Sequence, residues 1–380
     1  MKLILIYLKL ITMDEYKEYT VNDLYLDPIN APFTPYYELR EEDKINLHWG
    51  QRKLLLTLLQ FINIFWDPTK VPKPKFVYAG AAPGTNISIV SMLYPEIEFH
   101  LYDPSPFKIK ASDKIHLHQE YFTDDIAREW SGRDDVYFAS DIRTLSMTKN
   151  QDLDDHEKII VDNMNMQMNW YNIIKPVFGQ LKFRLPFEGG NRPKKLNYLY
   201  GYIFKQPWAT KISIETRLVP LPEKGLVSWD TAKYQNQMFY HNTMIRSKVK
   251  YLNVIDKTTN PIDDPELLND WDSMTEAMII ASYLSKRTGT YTLEQVKSIS
   301  RLFTTKINED LRHKNSLENR RAHAQKTREY RGRYNSPNKR YGYNTPSPNK
   351  RNYNKPSPNK RYNNKTSPNK TRDFSNIKRN

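Results

Sequence analysis

Cysteine is absent from the chain, which excludes disulfide bonds and thiolate metal sites and is typical of proteins from a reducing compartment. Histidine occurs only eight times and without the spacing of a metal site, so we expect no bound metal. Long apolar runs are also missing, because the one near the amino terminus, residues 3–12, is short and is interrupted by Lys9. We therefore expect neither a signal peptide nor a membrane span, and no membrane partner.

Acidic residues are nearly missing from the carboxyl-terminal part of the chain. Residues 331–380 contain 14 Lys and Arg but a single acid, Asp373, and so carry +13 of the net charge of +15. The motif Ser-Pro-Asn-Lys recurs there four times, at intervals of eleven, ten and ten residues. A segment so poor in apolar residues cannot bury a core, so we expect residues 316–380 to form a disordered basic tail.

The rest of the chain divides into an arm and one larger domain. Residues 14–47 are acidic, aromatic and proline-containing without a long hydrophobic period, which predicts an irregular arm over residues 1–47. Residues 48–315 alternate apolar runs with helical patterns, which predicts an α/β domain. The predicted strands are 76–79, 97–102, 136–140, 178–183 and 211–219, and the predicted helices are 51–62, 86–93, 123–130, 154–175, 229–252 and 263–313 with a break at Gly289.

The turn after the first predicted strand carries the strongest local signal. Gly80 and Gly84 would let the backbone pass close to a ligand at the carboxyl end of the strand. The spacing matches neither a dinucleotide fingerprint nor a phosphate-binding Walker loop. The alternative interpretation is a tight connection that binds nothing.

Two acids follow later strands in the same way. Asp103 lies about 20 residues beyond the glycine turn, where an acid commonly binds the hydroxyls of an adenosine ribose. Its alternative role is to cap the turn before Pro104. Asp141 ends a third apolar run. Strands ending in Gly80, Asp103 and Asp141 would converge on one crevice of a doubly wound, mostly parallel sheet.

Four ionisable residues, Lys53, Asp141, Lys182 and Glu215, form a Lys-Asp-Lys-Glu set typical of RNA ribose 2′-O-methyltransferases. A ribose hydroxyl is a poor nucleophile, and Lys182 could act as its base if a second cation, Lys53, and desolvation lowered its pKa. The two carboxylates would orient the amines. A solvated surface position is the alternative for Lys53, and an ordinary salt bridge to Arg217 is the alternative for Glu215.

The surroundings of these residues make the likeness more specific. Five blocks in the same order and with similar spacing resemble the poxvirus family of cap-specific mRNA 2′-O-methyltransferases, whose members are also processivity subunits of the viral poly(A) polymerase. These blocks are residues 50–56, 78–85, 140–143, 181–187 and 215–218. The resemblance runs from about Gly50 to Asn253 and leaves out the first 49 residues and the tail.

The resemblance implies a Rossmann-like methyltransferase fold with S-adenosyl-L-methionine as methyl donor. Asn86 stands where the family has a histidine, and Ser105 stands where it has an arginine. The residues that the family would place at the cofactor are Gln51, Tyr78, Gly80, Gly84, Asn86 and Asp103, with Phe122 and Ile142 around the adenine.

The family also holds the methylated cap guanine between two aromatic rings. Phe187 occupies one of these positions, but Ile212 occupies the other, and Gln235 replaces an acid that contacts the guanine edge. A replacement ring should come from nearby in the fold. The candidates are Tyr36, Tyr37 and Trp208, the last with an ordinary partly buried tryptophan as its alternative.

By this resemblance the chain is an enzyme that methylates the first transcribed nucleotide of capped mRNA. Its partner would be the catalytic subunit of a poly(A) polymerase, in the virion and the host cytoplasm. One alternative is a non-catalytic RNA-binding polymerase subunit, against which the complete set of four ionisable residues argues. Another is an internal RNA ribose methyltransferase, which would explain neither the Phe187 block nor the basic tail.

Removal of residues 331–380 should lower the affinity for uncapped RNA and flatten its dependence on salt, because fewer phosphates are neutralised and fewer counterions released. The measurement is a binding titration at several salt concentrations, for the full and truncated chains. An unchanged salt slope would indicate a solubility tail that makes no contact with RNA.

Overall fold

The computed structural model describes residues 16–39, 50–144, 153–251 and 270–311. The expected tail, residues 316–380, lies outside these ranges. The described strands are β1 (Tyr16–Lys17), β2 (Tyr25–Leu26), β3 (Lys75–Ala79), β4 (Glu98–Tyr102), β5 (Ile115–His118), β6 (Val136–Ser140), β7 (Gly179–Phe183), β8 (Lys195–Leu199), β9 (Gly201–Phe204), β10 (Thr216–Pro220), β11 (Leu226–Asp230) and β12 (Lys250–Tyr251). The described α-helices of six residues or more are α1 (Gly50–Phe65), α2 (Thr85–Leu93), α3 (Asp124–Glu129), α4 (Leu153–Ile174), α5 (Thr231–Tyr240), α6 (Trp271–Thr288) and α7 (Leu293–Leu311).

An eight-stranded sheet with the order β2-β9-β10-β7-β6-β3-β4-β5 forms the centre of the domain. The strands from β7 to β5 are all parallel to one another, whereas β10, β9 and β2 continue the sheet by antiparallel pairing. Two small sheets pair β1 with β12 and β11 with β8. The expected α/β fold with a doubly wound, mostly parallel sheet is therefore confirmed.

Strand β3 shows why the sheet is covered on both faces. Alternate residues of a strand point to opposite faces, and all of Phe76, Val77, Tyr78 and Ala79 are buried. Phe76 and Tyr78 pack in an apolar cluster with α1, α2, α6 and α7. Val77 and Ala79 pack in a second cluster with residues of α3, α4 and α5. A strand buried on both faces thus needs an unbroken run of apolar residues, because its alternate side chains fill the cores on opposite sides of the sheet.

The strand order places a crevice next to β3. From β3 the chain continues to β4 and β5 on one side and returns to β6 and β7 on the other. In parallel sheets, ligands bind outside the carboxyl ends of the strands at the point where the order reverses. The residues that follow β3, β4 and β6 therefore meet at this edge, as the sequence predicted for Gly80, Asp103 and Asp141.

The strand predicted over residues 211–219 is much shorter, since β10 begins only at Thr216. The residues before it form a turn: the Ser213 amide donates to Thr210 O, and the Asn242 side chain donates to Ser213 O at 2.7 Å. These bonds occupy the amide and the carbonyl of Ser213, which a longer strand would offer to a neighbouring strand. Glu215 consequently lies in the approach to β10.

The long helix predicted over residues 263–313 is two helices, and its break falls at Gly289, as expected. Gly289 ends α6 with φ of +78°, a conformation that glycine adopts without strain. The helix predicted over 229–252 begins at Thr231, after the Asp230 carboxylate, which accepts a hydrogen bond from the Lys233 amide. Its predicted end is wrong, because helical structure stops at Lys248 and residues 250–251 form strand β12. Sequence patterns missed β8, β9 and β11, which are only four or five residues long.

The described part of the arm is tied to the domain. Strand β2 pairs with β9 at one edge of the sheet, and Leu26 is buried against the core. Among the described residues, no helix is long and apolar enough to cross a membrane.

Candidate active site

The loop between β3 and α2 makes the closest backbone approach in the crevice. Gly80 has φ of +79°, and a Cβ atom there would lie 2.8 Å from the Asp141 carbonyl carbon and from the Ile142 nitrogen. Gly84 has φ of +82°, and its Cβ would lie 2.9 Å from Ile109 Cδ1. Both positions therefore require glycine. The loop is thereby held directly against the chain that leaves β6.

The structure brings together all four ionisable residues that the sequence selected. Lys182 Nζ on β7 lies 2.9 Å from Asp141 Oδ1 and 3.5 Å from Glu215 Oε2. Lys53 Nζ on α1 donates to Glu215 Oε1 at 2.7 Å. The side chains are only 9–16% exposed, so Lys53 is not the solvated surface residue of the alternative interpretation.

Two arginines complete this cluster. Arg217 is 2% exposed and donates to Asp141 Oδ1 at 2.6 Å and to Glu215 Oε1 at 3.2 Å. Arg143 donates to Glu215 Oε2 at 3.0 Å. The alternative for Glu215 was an ordinary salt bridge to Arg217. This salt bridge exists, and Glu215 contacts both lysines as well. Two carboxylates thus face four cationic side chains.

The charge balance shifts the proton affinity of the cluster. Burial is the largest influence on Lys182 and lowers the pKa of its ammonium group, although Asp141 and Glu215 act in the opposite direction. Burial alone would favour the neutral carboxyl of Glu215, but the surrounding cations outweigh it and hold the pKa well below its usual range. The pKa of Asp141 is lowered for the same reason. The carboxylates therefore stay charged, while Lys182 can lose its proton more easily than an exposed lysine.

The acid at the end of β4 supports the glycine loop. Asp103 Oδ2 accepts a hydrogen bond from the Ala82 amide at 3.0 Å, and Oδ1 accepts one from the Ser105 amide at 2.8 Å. The turn-capping role is therefore real, and it holds the carboxylate at the crevice. Each carboxylate oxygen can still accept a second hydrogen bond from a ligand.

Two polar residues border the start of α2. Gln51 Oε1 accepts a hydrogen bond from Thr85 Oγ1 at 2.6 Å. Asn86 is 2% exposed, and its Nδ2 has no hydrogen-bond partner among the described residues. A buried amide without a partner is rare in proteins, so this nitrogen is available to donate a hydrogen bond to a ligand bound at the start of α2.

The three apolar residues expected at the cofactor differ in their surroundings. Tyr78 is 6% exposed and belongs to the core below the loop. Phe122 is also 6% exposed, and its ring packs against Tyr102, with the centroids 5.1 Å apart. Ile142 is more open and lines a cleft. This cleft is bordered by Ile142, Arg143, His156, Ile159, Ile160, Asn163, Met164, Gln167, Lys182 and Arg184.

The loop after β7 carries the expected cap ring beside this cleft. The Arg184 guanidinium lies over the Phe187 ring, 4.5 Å from its centroid. Glu157 on α4 is 2% exposed and accepts hydrogen bonds from Arg184 Nη2 at 2.7 Å and from the Phe187 amide at 3.0 Å. One buried carboxylate therefore fixes both the arginine and the backbone of the aromatic residue.

The arm brings the two expected tyrosines to the same region. The rings of Tyr36 and Phe187 are 6.5 Å apart at an angle of 43°, and both Tyr36 and Tyr37 contact Phe239 edge to face. The tyrosines are 49% and 56% exposed. The Asn236 side chain accepts a hydrogen bond from the Tyr36 amide at 2.9 Å, which anchors this part of the arm.

The other two cap candidates have other roles in this structure. Gln235 is buried, and its Oε1 accepts a hydrogen bond from the Glu188 amide next to Phe187. Trp208 is 3% exposed and donates from its indole to Glu276 in the core. The expectation that Trp208 stacks on a cap is corrected accordingly, because both faces of the indole are covered by protein.

A sequence profile of the family described as the poly A polymerase regulatory subunit matches residues 18–301. The chain belongs to this family. The match contains the glycine loop, the charge cluster and Phe187.

Similar proteins carry a more specific description. The cap-specific mRNA (nucleoside-2′-O-)-methyltransferase of Myxoma virus (strain Lausanne) is 26% identical over 220 residues, which cover 53% of this chain and 63% of the relative. That of Fowlpox virus (strain NVSL) is 27% identical over 220 residues, covering 53% and 68%. The chain thus spans somewhat under two thirds of the Myxoma virus relative that it matches. The solved structure of bluetongue virus VP4, an RNA-capping protein, aligns with a TM-score of 0.37 and 15% identity over 57% of this chain and 35% of that one, which is too distant to support an inference.

The sequence did not predict three residues of the site. Arg217 was expected only as a salt-bridge partner of Glu215, Arg143 only as part of the block 140–143, and Glu157 had no expected role. A signal for Arg217 existed, because the Glu-x-Arg spacing near a strand places both side chains on one side. Glu157 has no such signal, since it reaches Arg184 and Phe187 only through the packing of α4 on the sheet.

Replacement of the buried acid, Glu157→Gln, should destabilise the protein by about 1–3 kcal/mol, because an uncharged amide is a weaker acceptor for a guanidinium. Chemical denaturation measures this free energy. The matched control is Asp155→Asn, an exposed acid on the same helix, which should change stability little. Equal stability of the two variants would contradict the role assigned to Glu157.

Proposed function

We propose that the protein transfers a methyl group from S-adenosyl-L-methionine to the ribose 2′-hydroxyl of the first transcribed nucleotide of capped mRNA. The observation that carries this proposal is the position of Lys182. Its amine is buried, has a lowered pKa, is held between two carboxylates and borders a cleft next to the glycine loop. The names of the Myxoma and Fowlpox virus relatives support the same activity.

Lys182 would act as the general base for the ribose hydroxyl. A neutral amine can accept the hydroxyl proton, and the resulting ammonium is stabilised at once by Asp141 at 2.9 Å and Glu215 at 3.5 Å. Lys53 and Arg217 keep both carboxylates ionised and in place. This arrangement fixes the amine in one orientation, and positioning of this kind can supply about 7–11 kcal/mol of the barrier reduction.

The residues around the glycine loop fit the proposed methyl donor, which supplies a methyl group activated by a sulfonium. The crevice at Gly80 has no room for a Cβ atom, and the buried Nδ2 of Asn86 lacks a partner among the described residues. Asp103 presents a carboxylate at the end of β4, suited to ribose hydroxyls. Gln51, Tyr78, Gly84, Phe122 and Ile142 would complete this site.

Phe187 and Tyr36 would bind the methylated guanine of the cap. Their ring centroids are 6.5 Å apart at an angle of 43°, close to the two stacking distances that a planar base between them requires, so a small shift and rotation of the exposed Tyr36 would admit it. A positively charged base also gains a cation–π attraction to each ring. Tyr37 packs on the same Phe239 ring as Tyr36 and would help to hold the arm in place. Gln235 would fix the backbone next to Phe187 through its hydrogen bond with the Glu188 amide.

We further propose that the protein pairs with the catalytic subunit of a poly(A) polymerase and acts as its processivity subunit. The family description supports this role, and viral relatives that modify mRNA support a setting in the virion or the host cytoplasm. A non-catalytic RNA-binding subunit is the main alternative, and the buried charge cluster, which such a subunit would not need, disfavours it. An internal RNA ribose methyltransferase would not need the ring pair at Phe187.

Transfer of labelled methyl from S-adenosyl-L-methionine to capped and uncapped RNA of the same sequence tests the proposal. Transfer to capped RNA alone supports it. Equal transfer to both RNAs would indicate an internal methyltransferase, and absence of transfer together with stimulation of poly(A) synthesis would indicate a non-catalytic subunit.

Lys182→Ala should lower methyl transfer by about 10²–10⁴-fold, the usual contribution of a general base, and leave binding of the methyl donor nearly unchanged. The same variant should still lengthen poly(A) tails with the polymerase subunit, because that activity does not need the base. Lys224→Ala, an exposed lysine outside the site, is the matched control. A variant at position 182 that keeps more than about a tenth of the rate would show that Lys182 is not the base.

The rate of methyl transfer should rise with pH and then reach a plateau. Only the neutral amine accepts a proton, so the plateau begins above the Lys182 pKa, which lies below the ordinary lysine value. Arg143 lowers this pKa further, so Arg143→Ala should move the rise to higher pH. A pH profile of kcat that does not move in this variant would contradict the electrostatic role of Arg143.

Phe187→Ala should weaken binding of the methylated cap by roughly 1–3 kcal/mol, the range for loss of one stacking ring, and leave uncapped RNA bound as before. Tyr36→Ala should have an effect of the same kind. Titration with cap analogue and with uncapped RNA measures both, with Tyr291→Ala as an aromatic control outside the site. Equal losses for capped and uncapped RNA would assign Phe187 to the fold or the RNA path.

A further inference from the structure

A second group of polar side chains lies at the opposite edge of the sheet from the arm. It consists of Glu98 and His100 on β4 and His116 and His118 on the edge strand β5. Alternate residues of a strand share one face, and the parallel register places His100 directly beside His116. Three imidazoles and one carboxylate therefore gather on one face of two neighbouring strands.

The distances within this group match those between metal ligands. Glu98 Oε1 lies 2.9 Å from His100 Nε2 and 3.2 Å from His116 Nε2, and one donor atom from each of the three residues lies within 4.8 Å of the others. Bonds of 2.0–2.1 Å in a tetrahedral zinc site put neighbouring ligand atoms about 3.3 Å apart. The first two distances differ from this value by a few tenths of an ångström, and rotation of the rings would have to bring the two imidazole nitrogens, which lie within 4.8 Å of each other, to the same spacing.

Two nitrogens of the group lack the partners that buried polar atoms normally have. Nε2 of His116 and Nε2 of His118 are shielded from solvent and make no hydrogen bond of acceptable geometry to any residue that the structure describes. The rings are nevertheless held in position, since His100 and His116 stack with centroids 4.5 Å apart and His118 stacks on Tyr102 at 4.2 Å. A fixed imidazole with a free nitrogen is ready to bind a metal ion.

We propose that Glu98, His100 and His116 bind one divalent transition-metal ion of the zinc class, with His118 as the nearest further donor. Two imidazoles and a carboxylate are a ligand set that suits zinc. Glu98 is 28% and His116 is 39% exposed, so an ion can enter from solvent. The expectation of no bound metal followed from the spacing of the histidines along the chain, whereas Glu98 and His100 come to lie beside His116 and His118 only through strand pairing.

The site is structural and separate from the methyl-transfer crevice. Glu98 begins β4 and Asp103 follows its end, which puts about 16 Å of extended chain between them. A bound ion would join β5, the four-residue edge strand, to β4 through side chains as well as backbone. Because β4 also carries Asp103, the ion would stabilise the strand that ends at the crevice.

One neighbouring cation would compete with the ion. Lys75 Nζ on β3 lies 3.7 Å from the same Oε1 of Glu98, and its side chain is 30% exposed. The ammonium can turn toward solvent when the ion binds, but its positive charge opposes binding. Removal of Lys75 should therefore act in the direction opposite to removal of a ligand.

The test is calorimetric titration of the full chain, first stripped with a chelator, with zinc chloride. We expect one tightly bound ion per chain, affinity at least about 10-fold weaker in Glu98→Gln and in His116→Ala, and tighter binding in Lys75→Met. His156→Ala, a histidine outside the group, is the control and should bind zinc as the unaltered chain does. Cobalt substituted for zinc should give the visible absorption of a tetrahedral ion.

Thermal unfolding measures zinc binding through the melting temperature and also shows whether each variant is folded. Zinc should raise the melting temperature of the unaltered chain and of His156→Ala, but not that of the two ligand variants, because an ion stabilises only the state that binds it. The metal-free melting temperatures show whether each variant is folded, and Glu98→Gln is the more conservative of the two. Absence of binding at micromolar zinc, or equal affinity in all variants, would overturn the proposal.

Discussion

Two carboxylates removed from water hold the strand ends of this protein together. Asp141 is shared by Lys182 and Arg217, and Glu215 is shared by both of these and by two further cations. Each buried ion costs several kcal/mol of desolvation, so such a cluster is stable only when every member has well-placed partners. The partners come from α1, the segment after β6, β7 and β10. The cluster therefore depends on the complete sheet, and the orientation of the amine depends on the cluster.

The same cluster explains why one lysine, and not another group, is suited to accept a proton. Four cations and two anions leave an excess of positive charge that the loss of one proton would reduce. Arginine does not lose its proton in proteins, so the proton must leave a lysine. Burial lowers the pKa of Lys182, which also faces the cleft. The excess of positive charge and the desolvation thus both favour loss of the proton from Lys182.

The glycine loop connects this chemistry with the neighbouring crevice. The approach of Gly80 to the backbone of Asp141 leaves no space for a side chain, so the end of β3 and the end of β6 are in van der Waals contact. A ligand bound along the loop must consequently lie next to the charge cluster. Asp103 holds the other side of the loop through the Ala82 amide. The position of the proposed cofactor site relative to Lys182 is a consequence of these two contacts.

Two acids elsewhere in the fold, the buried Glu157 and the partly exposed Glu98, show how the surroundings decide a role. Glu157 is neutralised by Arg184 and by one backbone amide, and it serves to position the loop that carries Phe187. Glu98 instead lies among imidazoles, two of which have a buried nitrogen without a described partner. The first acid has its hydrogen bonds satisfied within the protein, whereas the second group retains binding capacity for an ion.

The sequence by itself determined those features that depend only on residues close together in the chain. The apolar run from Phe76 to Ala79, the glycines of the loop and the acids that end later strands follow from burial, backbone sterics and strand direction, and all were predicted. Only the tertiary structure decided which side chains meet. Arg217 lies opposite Lys182 through antiparallel register, Trp208 is buried by α6, and His100 joins His116 through parallel register. Strand pairing and helix packing join residues that are far apart in the chain, and no pattern within a short window of sequence records such contacts.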